Sequence, residues 1–242
     1  MKVFFGQPWG GLGDNLQFTT LPRLYAERGD EFYVSARNAY RNPEIYNFCW
    51  KDNPYVKGIV SNSPNIGSCA PDIQNGTTDN IVSAAEIRHG FSGEGRYPEI
   101  YYQPNILEEY KDKTIVDLSA HTLLKNGVGE FYDANNLFRL VEESVPSDAL
   151  FVSFKNVNSL SLSGDFSFES NELEIDNIFE YADIIHSSKN YFCLYSGGNS
   201  MAAAVKYKYG SEVNLNCFLH GTVKEHKDKG FFVFDNVNYI EV

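Results

Sequence analysis

Two glycine-rich turns carry the residue types best suited to chemistry. The first is Gly10-Gly11-Leu12-Gly13-Asp14, between the apolar run Lys2–Phe5 and a segment with apolar residues at Leu16, Phe18, Leu21, Leu24 and Tyr25. Glycine lets a backbone approach a ligand closely and reach positive φ, and a helix amino end favours negative charge. Asp14 at that helix start has two physical readings. As a cap it accepts from free N–H groups of the first turn; as a general base in a cleft it takes a proton from a reacting hydroxyl. The spacing is not G-x-G-x-x-G, so the dinucleotide fingerprint is missing. The second turn is Tyr195-Ser196-Gly197-Gly198-Asn199-Ser200-Met201, followed by Ala202-Ala203-Ala204. Backbone N–H groups of Gly198 to Ser200 could hold a diphosphate or ribose oxygen. A tight strand-to-helix turn capped by Asn199 or Ser200 explains the same residues without a ligand.

Further candidates surround these turns. Lys155 follows the apolar run Leu150–Phe154 and is either a cation for a diphosphate or a solvated lysine. Ser119, His121 and Thr122 follow Thr114–Leu118 in the same way. The segment 89–104 gathers His89, Glu94, Arg96, Tyr101 and Tyr102. Aromatic rings with an arginine and a carboxylate suit sugar hydroxyls and an anionic group; an ordinary loop packing its tyrosines is the alternative. His220 and His226 flank the charged stretch 224–229, which reads as a solvated turn. No H-E-x-x-H, Walker A sequence or D-x-D occurs. No metal site and no cofactor is expected.

Short strands and helices must position these groups. Strands are expected at Lys2–Phe5, Glu31–Ser35, Val56–Val60, Thr114–Leu118, Leu150–Phe154, Tyr191–Tyr195, Asn214–Leu219, Phe231–Phe234 and Tyr239–Val242. Helices are expected at Asp14–Arg28, with a kink at Pro22, at Pro43–Trp50, Ile81–His89, Asp133–Val145, Ile175–Ser187 and Ser200–Tyr207. The segments Ser61–Asp79 and Ser159–Ser170 read as loops, the latter with room for a short strand. Alternating strands and helices favour parallel α/β sheets. The alternation occurs twice, each time with a glycine turn entering a helix. It gives two Rossmann-like domains, 1–110 and 111–242; a single doubly wound sheet is the alternative.

Composition narrows the partners. The 242 residues carry a formal net charge of −12, which disfavours nucleic acid and anionic membrane surfaces as partners of the bulk field. The four cysteines, at 49, 69, 193 and 217, form no C-x-x-C pair. No secretory leader pattern is visible, and no apolar run of about 18 residues marks a transmembrane helix. A cytoplasmic protein with reduced thiols is expected.

Gly11-Leu-Gly-Asp14-Asn-Leu-Gln-Phe-Thr-Thr-Leu-Pro22-Arg-Leu24 resembles the start of glycosyltransferase family 9, the ADP-heptose:lipopolysaccharide heptosyltransferases, where a strand precedes a G-D-x-(apolar)-x-x-(S/T)-x-P-x-L helix. Tyr181–Ala204 resembles the family's later segment, where a helix and strand lead into a D-(S/T)-G-x-x-H-(apolar)-A-A turn. The resemblance implies a GT-B architecture of two Rossmann-like domains facing a cleft, the first for the acceptor and the second for the nucleotide-sugar donor. It implies that Asp14 is the catalytic base of an inverting, metal-independent transfer to a glycan, lipid-linked or other hydroxyl acceptor. Donor contacts would come from Ser196 to Met201 and Lys155; acceptor-side contacts from Gly11, Gly13, Asn15, His89 and Arg96. Two departures stand out: Ser196 occupies the family's Asp position and Met201 its His position. They leave a nucleotide sugar other than ADP-heptose open, and with it a non-catalytic nucleotide-sugar or sugar-binding protein on the same fold.

Overall fold

The computed structural model describes residues 1–7, 10–61, 66–67, 80–119, 132–155, 171–228 and 233–242. The chain divides into two compact units, Met1–Gln103 with Lys227–Phe234, and Pro104–His226 with Asp235–Val242.

The first unit is built on β1 (Lys2–Phe5), β2 (Glu31–Ser35), β3 (Val56–Val60) and β4 (Ile66–Gly67), in the order β3-β2-β1-β4. Every pairing is parallel. Parallel strands send their carboxyl ends to one edge, so the segments that follow β1 and β2 emerge side by side. After β1 come α1 (Leu12–Leu16) and α2 (Leu21–Glu27); after β2 come α3 (Ala36–Arg41) and α4 (Pro43–Tyr46), then a π-helical turn, Asn47–Lys51. The core is aromatic. Phe5 lies 5.1 Å from Phe18, 5.6 Å from Phe32 and 5.3 Å from Trp50 between ring centroids. Helix α5 (Ile81–Arg88) completes this unit.

Two expectations change here. The segment Asp14–Arg28 is not one kinked helix but two, because Pro22 stands in the first turn of α2, where its missing N–H costs nothing. Helix α3 falls where no element was expected. Ala39 is its buried residue, and Ser35 starts it by accepting from Asn38 N–H at 3.4 Å.

The second unit holds β5 (Thr114–Asp117), β6 (Leu150–Phe154), β7 (Asn171–Ile175), β8 (Asn190–Leu194), β9 (Asn214–Leu219) and β10 (Asn238–Glu241), in the order β10-β9-β8-β5-β6-β7, again all parallel. Its helices are α6 (Ala134–Ser144), α7 (Ile178–Ser187), α8 (Gly197–Tyr209) and α9 (Val223–Asp228). Val116, Leu118, Leu137, Val141, Leu194 and Phe218 form its core. The edge strand β7 was not expected, and helix α7 starts at Ile178, capped by Asn177, rather than at Ile175. The charged stretch after His220 is the short helix α9, with His226 buried in it, and not a solvated turn. Val233 and Phe234 lie outside any strand. Residues 159–170, most of 61–79 and residues 231–232 lie outside the described residues.

Candidate functional site

In the first unit the turn after β1 is braced from three sides. Asn38 of α3 accepts from the Gln7 N–H and donates to the Gln7 carbonyl, both at 3.0 Å, which fixes the exit of β1. Asn15 donates to the Gly11 carbonyl at 2.8 Å and accepts from Trp50 Nε1 at 3.0 Å. Asp14 Oδ2 accepts from Gly11 N–H at 3.0 Å. Asn15 is buried and works as this brace. Gly11 is exposed, and Gly13 and Asp14 are half-buried. The N-cap of α1 is Gly11, and Asp14, the third helical residue, reaches back to it with one carboxylate oxygen; among the described residues no hydrogen bond reaches the other. Burial pushes the Asp14 carboxyl above the usual carboxylate range, while the Gly11 N–H and the Arg41 guanidinium pull it back.

His89 Nδ1 meets Tyr25 Oη at 2.7 Å, and the ring borders a recess formed with Met1–Phe5, Tyr25 and Arg28. Burial, with Arg88 and Arg28 nearby, pushes its pKa down to about 4. Arg96 is exposed, and its carbonyl accepts from Asn80 Nδ2 at 2.6 Å. The loop between them is tied down: Glu86 accepts from Gly95 N–H at 2.8 Å, Thr19 Oγ1 from Glu99 N–H at 2.9 Å, and Arg23 pairs with Glu99 at 2.7 Å. Tyr101 donates to Glu99 at 3.0 Å and Tyr102 packs on Phe48, so these tyrosines pack the loop.

In the second unit the glycine turn is itself the first turn of α8. Ser196 is the cap and accepts from Gly198 N–H at 3.2 Å; Asn199 and Ser200 do not cap the helix. Tyr195, Ser196 and Gly197 are partly accessible, whereas Asn199, Ser200 and Met201 are buried against the protein, each 1% exposed or less. Lys155 is paired with Asp176 at 2.8 Å and Glu174 at 3.6 Å, both from the unexpected β7 side. His121 and Thr122 lie outside the described residues.

Sequence reasoning missed the group beneath this turn. Asp117 ends β5 and is buried. It accepts from the Tyr181 hydroxyl, from the Ser119 hydroxyl and from the Ser119 N–H, the last at 2.8 Å, and Tyr181 in turn meets the Tyr191 hydroxyl. A Cβ on Gly198 would lie 2.7 Å from Tyr191 Oη, 2.8 Å from Tyr181 Oη and 3.1 Å from Asp117 Oδ2. Gly198 is thus required by this hydrogen-bonded group. Burial pushes Asp117 up, with the Ser119 and Tyr181 hydroxyls opposing it, and drives both tyrosines well above their ordinary range. In the same unit, Tyr195, His220 and His226 cluster at 4.8 to 5.6 Å between centroids, and His226 Nε2 donates to the His220 carbonyl at 2.7 Å. Because β9, β8 and β5 are parallel neighbours, His220, Ser196 and Ser119 all follow carboxyl ends at one edge. That is where open α/β sheets bind ligands.

No family model matches the sequence, and no curated protein matches it significantly. Solved structures do match. A bacterial iron-containing dodecameric glycosyltransferase, TibC from enterotoxigenic Escherichia coli, superposes with a TM-score of 0.59 at 10% identity, over 98% of this chain and 62% of that one. The TibC heptosyltransferase in complex with ADP-D-beta-D-heptose gives 0.57 at 10% identity, over 90% and 57%. A glycosyl transferase family 9 protein from Veillonella parvula gives 0.57 at 8% identity, over 100% and 85%. The chain has a family 9, heptosyltransferase-like fold, and it spans less than two thirds of the length of TibC. The iron is TibC's; among the described residues no group of three or more His, Cys, Asp or Glu is arranged to hold a metal ion.

Proposed function

We propose that this chain is a glycosyltransferase of GT-B type, which moves a sugar with inversion and without a metal from a nucleotide-diphosphate sugar to a hydroxyl acceptor. The observation that carries the reading is the heptosyltransferase-like fold with Asp14 at the carboxyl edge of β1, half-buried and holding one carboxylate oxygen free of the cap. In this reading Asp14 takes the proton of an acceptor hydroxyl. The acceptor oxygen then bonds to the anomeric carbon from the face opposite the leaving group, and the anomeric C–O bond to the diphosphate breaks. The nucleoside diphosphate leaves with the electron pair, its charge held by the amino end of α8 at Ser196 and Gly197.

The buried residues Gly198, Asn199, Ser200 and Met201 support that helix end from within. Gly11 and Gly13 border the acceptor, with Arg96 as a further acceptor-side candidate; Lys155 and His89 are engaged elsewhere and are not assigned contacts. The acceptor in this reading is a glycan, a lipid-linked acceptor or another hydroxyl compound. No described helix is long and apolar enough to cross a membrane, and a cytoplasmic setting accords with the free, buried Cys49, Cys193 and Cys217.

A thermal-shift screen of nucleoside diphosphates and their sugars, followed by a transfer assay with the best donor, tests the reading. Ligand at 100 times its Kd adds about 2.7 kcal/mol of stability. Stabilisation by a nucleotide sugar with turnover supports transfer. Stabilisation without turnover in the presence of hydroxyl acceptors would reduce the protein to a binding module.

A further inference from the structure

The two adjacent glycines of the first turn each leave room for one charged side chain. A Cβ on Gly10 would lie 2.9 Å from Arg41 Nε and 3.0 Å from its Cδ. A Cβ on Gly11 would lie 2.9 Å from Asp14 Oδ2. Consecutive residues thus seat a guanidinium and a carboxylate. Neither position has a positive φ, so the need for glycine here is room and not backbone conformation.

Arg41 reaches the turn because of how α3 is held. The helix follows β2, the parallel neighbour of β1, so its residues share the edge where the Gly10 turn emerges. Ser35 caps it, and the two hydrogen bonds between Asn38 and Gln7 lock it to the end of β1. Arg41 is its last residue.

We propose that Arg41 is a positioning residue for Asp14: seated on Gly10, its guanidinium borders the turn whose Gly11 N–H holds the Asp14 carboxylate, and it fixes that carboxylate to accept the acceptor's proton. The inference rests on the reading of Asp14 as the base. On its own turn the Gly11 N–H donates to the Asp14 carboxylate, whereas the amide of Gln17 donates to the Asp14 backbone carbonyl at 3.1 Å. Trp50, from the π-helical turn, is held by Asn15. Among the described residues the charged group acting on Asp14 is Arg41 of α3. Burial favours the neutral acid, which cannot serve as a base, and Arg41 opposes burial.

The experiment follows the Asp14 carboxyl by 13C NMR titration in the full chain, with Asp14→Asn to assign the signal. It is run on wild type, Arg41→Gln, Arg41→Lys and Gly10→Ala, beside the pH profile of kcat/KM. The Asp14 midpoint is expected to rise in Arg41→Gln. The acid limb of kcat/KM should rise with it, so that the loss at pH 6 exceeds the loss at pH 8 by on the order of tenfold per unit of movement. Arg41→Lys, which keeps the charge, should restore most of the acid-side activity. Gly10→Ala pushes the guanidinium aside and should move the midpoint in the same direction as Arg41→Gln. An unmoved midpoint in both Arg41→Gln and Gly10→Ala overturns the proposal. A midpoint that moves in a protein without transfer activity leaves the coupling standing and removes the transferase reading instead.

Discussion

Replacing Gly198 by alanine probes the arrangement under the second turn with a single methyl group. On helix propensity alone the change is favourable by up to about 1 kcal/mol, and the residue has no positive φ to forbid it. Packing reverses the sign. The new Cβ would fall 2.7 Å from Tyr191 Oη and 2.8 Å from Tyr181 Oη, closer than real Cβ atoms approach, and 3.1 Å from Asp117 Oδ2. These oxygens are buried and bonded to one another, so making room means either shifting α8 or breaking a hydrogen bond. Overpacking costs about 1–3 kcal/mol, and a buried polar group left unpaired about 1–3 kcal/mol more. Less the propensity gain, Gly198→Ala should lose about 1–5 kcal/mol. The unfolding midpoint would fall by about 2–4 °C per kcal/mol for a chain of this size. Circular dichroism during heating and urea titration measures both. Tyr191→Phe removes the nearest oxygen and frees space for the Tyr181 hydroxyl, so the double variant should lose less than the sum of the two singles. If Gly198→Ala is as stable as wild type, the tyrosine–carboxylate group does not press on the turn and the reason given for this glycine is wrong.

Other consequences are open to test. Asp14→Asn keeps an oxygen for the Gly11 N–H while removing a charge that burial disfavours, so its midpoint at pH 7 should match or exceed wild type; Asp14→Ala loses the cap and should cost about 1 kcal/mol. His89 has a folded pKa of about 4 against 6.5 when unfolded. The unfolded state therefore binds more protons between these values, and stability falls as pH drops from 6.5 to 4. Urea midpoints across that window should show a smaller fall in His89→Gln. Lys155→Gln should change nucleoside-diphosphate affinity less than about twofold, because its charge is already opposed by Asp176 and Glu174 in an exposed setting; a tenfold loss by calorimetry would return Lys155 to the donor site.

Much of the fold was legible because apolar runs of four to six residues bounded by turn residues mark buried parallel strands; Lys2–Phe5, Glu31–Ser35, Val56–Val60 and Leu150–Phe154 all fall where the pattern puts them. The elements that escaped lack that pattern. In Ala36–Arg41 the buried residue is Ala39, and the helix exists because Ser35 and Asn38 hold it. In Asn171–Ile175 one side of the strand has no partner in the sheet order, and its acidic residues face outward, so it carries little apolar signal. The site divides the same way. Asp14 and the Ser196–Gly198 turn are local features of sequence. Arg41 meets Gly10 through the pairing of β1 with β2, and Asp117 meets Tyr181 and Tyr191 across 64 and more residues. A charged residue closing an apolar strand was the available sign of Asp117, and the parallel-edge rule was that of Arg41.

The central claim concerns Asp14 and sugar transfer, and one comparison addresses both. Wild type and Asp14→Asn are assayed side by side for release of nucleoside diphosphate and formation of glycosylated acceptor, with the nucleotide sugar that most raises the thermal midpoint. The account predicts turnover in wild type and a loss of about 10²- to 10⁴-fold in kcat for Asp14→Asn, with donor affinity within about twofold. Equal turnover by the two proteins, or none by wild type with a donor that binds, would contradict it.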